Sequence, residues 1–155
     1  MKFIADAMLG RLAKWLRLSG FDVLYYPDIS DRQVIQIARE QARTILTRDT
    51  RMLQRRGRGN AVFIQADHIL EQLHEMKDML DFDDPELAER CVVCNGRLQR
   101  VEERGEVKGL VPDYVYRNFG RFSRCGSCGK VYWKGSHYKN IRDRIRETLG
   151  KSIED

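Results

Sequence analysis

Two sets of side chains in this 155-residue chain could carry chemistry. The first is Cys91-Val92-Val93-Cys94 and Cys125-Gly126-Ser127-Cys128, two Cys-x-x-Cys pairs with 30 residues between them. Four thiolates can close a tetrahedral site around Zn²⁺, and the spacing suits a zinc ribbon in which each knuckle ends a hairpin. Gly96, Gly126 and Gly129 provide the tight backbone that knuckles need. Redox pairs or unpaired thiols are the competing use of such cysteines. Four thiolates leave no open position, so the zinc is expected to be structural and to hold together a segment too small to bury much core.

The second set is carboxylates. Asp6 ends the apolar run at the N-terminus, Asp49 follows Thr44-Ile45-Leu46-Thr47, Asp28 and Asp31 lie beyond a second apolar run, and Asp67 comes after a fourth. If those runs are parallel strands, all five acids lie along one sheet edge, where ligands of open α/β sheets bind. Hard oxygen donors suit Mg²⁺ or Mn²⁺, and such ions can activate water for phosphodiester hydrolysis. Asp6, Asp31 and Asp49 are the expected metal ligands, with Asp28 as a further catalytic candidate. Plainer uses exist: Asp28 and Asp67 at helix starts suit N-caps, and Asp49 could cap a helix beginning at Arg51. Asp31 is less suited to capping, because Ser30 already fills that role.

Cations surround the acids. Arg11, Lys14 and Arg17 recur every third residue and Arg48 adjoins Asp49; they could hold phosphates, form a solvated face or balance the acids in salt bridges. Near the second cysteine pair, Tyr132, Trp133 and His137 lie among Lys130, Lys134 and Lys139. Aromatics among cations can stack unpaired bases, although Trp133 could equally fill the core of a small ribbon.

The elements that must position these groups follow from periodicity. Residues 1–6 read as a buried strand, and Leu9, Leu12, Ala13 and Leu16 form the apolar face of a helix stopped by Gly20. A strand over 22–26 precedes Ser30 and Gln33, which have capping-box spacing, and a helix over 31–42. A strand over 44–47, a short helix over 51–56, a strand over 61–64 and a helix over 67–80 complete the pattern. This alternation predicts an α/β, three-layer domain with a mainly parallel sheet over residues 1–84. The acidic, Pro-bearing stretch 81–85 reads as a linker. Short β-like pieces over 96–102 and 130–133 fall within a zinc ribbon spanning 91–137, and a C-terminal helix is expected over 138–150.

The chain carries a formal net charge of +5. Residues 59–90 hold nine acids against Lys77 and Arg90, and both flanking segments are basic. A polyanion is therefore expected to touch the two ends of the chain and to avoid its middle. No apolar run reaches the ~18 residues of a membrane span. With no signal-peptide pattern at residue 1, a cytoplasmic location is expected, and no protein partner or oligomeric state can be read off.

The ordered motif Phe3-x-x-Asp6-x-Met8-Leu9-Gly10-Arg11-Leu12-Ala13-x-Trp15-Leu16-Arg17-x-x-Gly20-x-Asp22-Val23 recurs in a known family. With Leu46-Thr47-Arg48-Asp49, the paired cysteines and Tyr132-Trp133-x-Gly135-Ser136-His137, the chain resembles the PIN-like ribonucleases named after the C-terminal domain of the Mut-seven exonuclease. That resemblance implies a PIN-type α/β nuclease fold with a C-terminal zinc ribbon and metal-dependent cleavage of RNA, expected to be endonucleolytic. Asp6 and the Thr47-Arg48-Asp49 stretch match the family's acids. A further family acid lies within a helix, whereas the nearest candidates here, Asp31 and then Asp28, lie at or before a helix start, with Asp67 as a fourth. The alternatives are a non-catalytic RNA-binding module, or a toxin-like PIN protein, which the appended ribbon does not match.

Overall fold

A computed structural model describes residues 1–150 of the chain. Four short strands, β1 (Lys2–Ala5), β2 (Asp22–Tyr25), β3 (Thr44–Thr47) and β4 (Ala61–Phe63), form a wholly parallel sheet in the order β2-β1-β3-β4. Phe3 and Ile4 of the central strand β1 are fully buried, one on each face, so a continuous apolar run is what this position demands. The chain leaves β1 in one direction to reach β2 and arrives at β3 on the other side. The switch between β1 and β3 falls where Asp6 and Asp49 emerge.

A one-turn 3-10 helix (Ala7–Leu9) leads from β1 into α1 (Gly10–Leu18). Gly10 is required there, since a Cβ would lie 2.8 Å from the Tyr25 ring, whose hydroxyl donates to Ala7 O at 3.0 Å. Gly20 takes φ +95° after α1, the left-handed exit expected of it. The Ser30–Gln33 capping box is fully formed at the start of α2 (Asp31–Glu40). α3 (Thr50–Gln54) follows β3.

One face of the sheet carries Phe3, Ala5 and Leu46 against Leu12 and Leu16 of α1, Leu73 of α4 (Ile69–Glu75) and Ile145 and Leu149 of α6 (Ser136–Leu149). The other carries Ile4 and Ile45 against Val34 and Ala38 of α2 and Met52 of α3. Helix α4 is shorter than the expected 67–80: the chain turns after Glu75, yet Leu80 still reaches the core at 2 % exposure. The C-terminal helix starts two residues earlier than expected and closes the core of the parallel-sheet domain. Among the described residues no helix is long and apolar enough to cross a membrane.

The second sheet, β5 (Leu98–Arg100), β6 (Ser123–Cys125) and β7 (Val131–Tyr132), is antiparallel in the order β5-β6-β7. Between β5 and β6 lies a short helix not anticipated from sequence, α5 (Asp113–Asn118). Its Val115 packs with Val107, Val111, Phe122 and Val131 in a separate small core against which Trp133 rests. The packing use weighed for Trp133 is therefore met, while the ring remains half-buried.

The ribbon is fastened to the edge strand β2. The backbone N–H of Val23 donates to Asn95 Oδ1 at 3.0 Å, and Asn95 Nδ2 donates to Asp22 Oδ1 at 2.7 Å. Arg43 also donates to that oxygen, at 2.6 Å, and Arg90 lies 3.9 Å from the other. Burial opposes the charge on Asp22, but the bonds from Arg43 and Asn95 outweigh it and hold the carboxyl below its ordinary value.

Arg17 corrects an expectation. It was grouped with Arg11 and Lys14 as a phosphate ligand, but it is 3 % exposed. Its Nε donates to Val23 O at 2.8 Å and its Nη1 to Val92 O at 2.9 Å. It joins α1, β2 and the first cysteine knuckle, a buried structural place rather than an exposed phosphate contact.

Candidate active site and metal centre

At the carboxyl end of β1, Asp6 is 7 % exposed and holds three protein donors. Its Oδ1 accepts from Met8 N at 2.9 Å, and its Oδ2 accepts from Thr47 Oγ1 at 2.6 Å and from Arg48 N at 2.8 Å. A carboxylate offers about four lone-pair positions, so one remains, on Oδ1. The same Thr47 hydroxyl accepts from Asp49 N at 2.9 Å. One threonine at the end of β3 thus ties the two strand-end acids together, which is the physical content of the Thr-x-Asp spacing.

Asp49 caps α3 by accepting from Arg51 N at 2.9 Å, as its plainer reading anticipated. Its carboxylate also accepts from Arg51 Nε at 3.2 Å and Nη2 at 3.1 Å. These bonds hold the Asp49 carboxyl below its ordinary value. Asp31, in the first turn of α2, lies 3.8 Å from Arg55 Nη2. Asp67 is not a cap, because His68 occupies that place before α4; instead it pairs with Arg48, which also donates to Gln65 O at 3.1 Å. Asp28 is exposed in the turn after β2.

The expected acids therefore divide. Asp6 and Asp49 adjoin through Thr47, Asp31 and Asp49 each face an arginine of α3 or the residue after it, and Asp67 serves Arg48. Among the described residues no three carboxylates converge within metal-binding reach, whereas the four cysteines do. The strand-end donors still fit Mg²⁺ or Mn²⁺ in kind. Such ions commonly take one or two carboxylates together with substrate phosphate rather than a full protein cage. Sequence reasoning did not pair Asp49 with Arg51 or Asp31 with Arg55, although Arg51 lies on the helix that Asp49 caps and Arg55 directly follows it.

The cysteine group is closed. All four Sγ atoms lie within 4.8 Å of one another, with Cys91–Cys128 at 3.6 Å and Cys94–Cys125 at 3.4 Å. A tetrahedron of Zn–S bonds has edges of about 3.8 Å, so the cluster is the size that Zn²⁺ requires. Asn95 at φ +70° and Gly129 at φ +79° turn the two knuckles in parallel fashion. Burial opposes ionisation of Cys125, but the amides of Cys128 and Ser127 overcome it and bring this thiol down to about 6. Tyr132 hydroxyl lies 2.9 Å from Cys91 Sγ and accepts from Val92 N at 3.2 Å. This outer partner of the metal site was expected only as a base-stacking ring.

Four other expected residues meet elsewhere. Arg11, Lys14, Trp133 and His137 line one cleft of about 910 Å³ between α1, the ribbon and α6. Arg11 also lines an adjoining cavity of about 460 Å³ that reaches Arg48 and Asp67.

The family model of the Mut7-C RNAse domain matches residues 1–145, which covers both sheets and most of α6. The chain belongs to that family. No curated protein and no solved structure matches it.

Proposed function

We infer that this member of the Mut7-C RNAse family is a metal-dependent endoribonuclease with its reaction centre at Asp6 and Asp49. The observation that carries the reading is the junction of these two acids through Thr47 at the ends of adjacent parallel strands, at the switch point of the sheet. Asp6 and Asp49 would hold Mg²⁺ or Mn²⁺, and Asp31 would join them once Arg55 is drawn off. When bound, the ion supplies a water activated for attack on phosphorus and neutralises charge on the leaving oxygen.

The chain's own residues do the rest. Thr47 and the backbone N–H of Arg48 fix the Asp6 carboxylate through Oδ2, which leaves one acceptor position on Oδ1. Arg51 is 85 % exposed and can swing from Asp49 to a phosphate. Arg48 and Arg11 line the approach from the cavity beside Asp67 and position the backbone. The ribbon, braced by a structural zinc, presents aromatic side chains for RNA. A reducing cytoplasmic setting keeps its thiolates available to metal.

A second reading, an RNA-binding module without cleavage, rests on the arginine partners that Asp31, Asp49 and Asp67 already have. A circular RNA separates the readings, since it offers no end to an exonuclease. Incubation with Mn²⁺ or Mg²⁺ is expected to linearise it. Binding without linearisation would favour the module, and cleavage of linear RNA alone would favour an exonuclease.

A further inference from the structure

We propose that the cleft between α1, α6 and the ribbon binds unpaired RNA, with bases stacked on Trp133 and Tyr138 and the backbone led over Arg11 and Arg144 toward Arg48. This deepens the ribonuclease reading by naming the substrate as single-stranded on the side of the scissile bond that enters the cleft.

Three observations support it. Trp133 and Tyr138 each line both the 910 Å³ cleft and a second cavity of about 440 Å³ on the ribbon side. Both rings are only half-buried, so part of each stays open to these spaces, although Trp133 also rests on the ribbon core and Arg142 lies 5.7 Å from the Tyr138 ring. Aromatic rings with free faces stack bases of any identity. Bases inside an A-form duplex are already stacked and paired, so such a shelf excludes them.

The charge suits a backbone. Arg11, Lys14 and Arg144 line the cleft against Asp143 and Glu147, a net positive wall, with His137 beside them. Its floor includes the apolar Trp15, Leu18 and Ile141, which suits bases on one side and phosphates on the other.

The cleft also leads to the acids. Arg11 and Arg144 line the 460 Å³ cavity as well, and that cavity ends at Arg48. The backbone N–H of Arg48 binds Asp6, while its buried Nε–H has no hydrogen-bond partner among the described residues. The rest of the Arg48 guanidinium, on a side chain 24 % exposed, offers the cavity a charge for phosphate. A strand seated on Trp133 would thus be led by Arg11 and Arg144 to Arg48, whose backbone N–H holds Asp6.

The test is fluorescence anisotropy of the full chain, zinc intact and no Mg²⁺ or Mn²⁺ added, with a labelled adenylate 12-mer, alone and annealed to its complement. The single strand is expected to bind at least tenfold tighter than the duplex and to quench tryptophan emission. Trp133→Leu should weaken it about tenfold. The exposed Lys14→Ala, which leaves the core untouched, should weaken it several-fold and lower the salt-dependence slope by about one. Equal affinity for duplex, or an unchanged affinity and salt slope in Lys14→Ala, overturns the proposal whatever Trp133→Leu does. Tight, Lys14-dependent single-strand binding with no cleavage once Mn²⁺ or Mg²⁺ is added would keep the cleft and sink the ribonuclease reading. Cleavage that neither variant alters would sink the cleft alone.

Discussion

Two acid–arginine groups sit on the same parallel sheet and behave in opposite ways. On the edge of β2, Asp22 faces Arg43 and Arg90, whose side chains are 7 % and 8 % exposed, and Asn95 fills the remaining space. Past the end of β3, Asp49 faces Arg51, which is 85 % exposed. The first group is enclosed, multiply bonded and spans the junction between sheet and ribbon. The second is a single exposed pair on a short helix, and water or phosphate can replace its arginine at small cost. Burial of the cations, rather than the presence of the acid, separates a structural carboxylate from one free to do chemistry.

The largest expected effect tests the closed half of the molecule. Removing the metal, or replacing Cys125 by Ser, should unfold the ribbon, because structural zinc contributes on the order of 10 kcal/mol to such modules. Loss of ribbon structure by circular dichroism, with one zinc per chain by elemental analysis in the untreated protein, is the expected result.

Next comes the Asp22 group. Asp22→Asn leaves two buried guanidinium groups without their counter-charge and should cost about 3 kcal/mol. That corresponds to a fall in Tm of about 6–12 °C for a chain of this size. The same carboxyl sets a pH dependence. It ionises more readily in the folded chain than in the unfolded one, so the folded state binds fewer protons and stability rises with pH across that interval. Its contribution is complete above the ordinary carboxylate range, about pH 4, and is lost as the pH falls through the lower folded value. Asp22→Asn should flatten that limb of a Tm-against-pH curve.

Ile145→Ala probes whether α6 belongs to the parallel-sheet core. Ile145 is fully buried there, and truncation should cost about 2–4 kcal/mol, read as a lower urea midpoint for the whole chain. A midpoint unchanged from wild type would separate α6 from that core. The smallest structural effect is expected at the open site, where Arg51→Ala should leave Tm nearly unchanged while altering RNA cleavage.

Much of this arrangement was legible in the sequence, for reasons that can be named. The strand-end places of Asp6 and Asp49 follow from short buried runs, and the Ser30–Gln33 box and the cysteine knuckles depend on local spacing alone. Arg17 was not legible. Each three-residue step falls about 60° short of a full helical turn, so Arg17 lies about 120° around α1 from Arg11 and turns inward to meet carbonyls that arrive from residue 92 onward. Asp67 looked like a cap because its partner, Arg48, is distant in sequence. Helix α5 has six residues and a single buried valine, too little periodicity to register. Tertiary partners, which no local pattern encodes, decided each of these.

Asp6 itself makes a poor single probe of catalysis, since the Asn amide would set an NH₂ against Met8 N or against Thr47 and Arg48, and bonds to a charged group contribute about 1.5–3 kcal/mol each. Asp49→Asn keeps an acceptor for the helix cap and gives up only the charge and the Oδ2 bond to the exposed Arg51. The most direct measurement is therefore cleavage of a labelled single-stranded RNA by wild type and Asp49→Asn, each with its zinc in place, with and without added Mn²⁺ or Mg²⁺. Cleavage by wild type only when Mn²⁺ or Mg²⁺ is added, abolished in Asp49→Asn while RNA affinity and Tm hold, is the predicted result. Equal cleavage by both proteins, or none by either under any metal with RNA still bound, would contradict a reaction centre at Asp6 and Asp49.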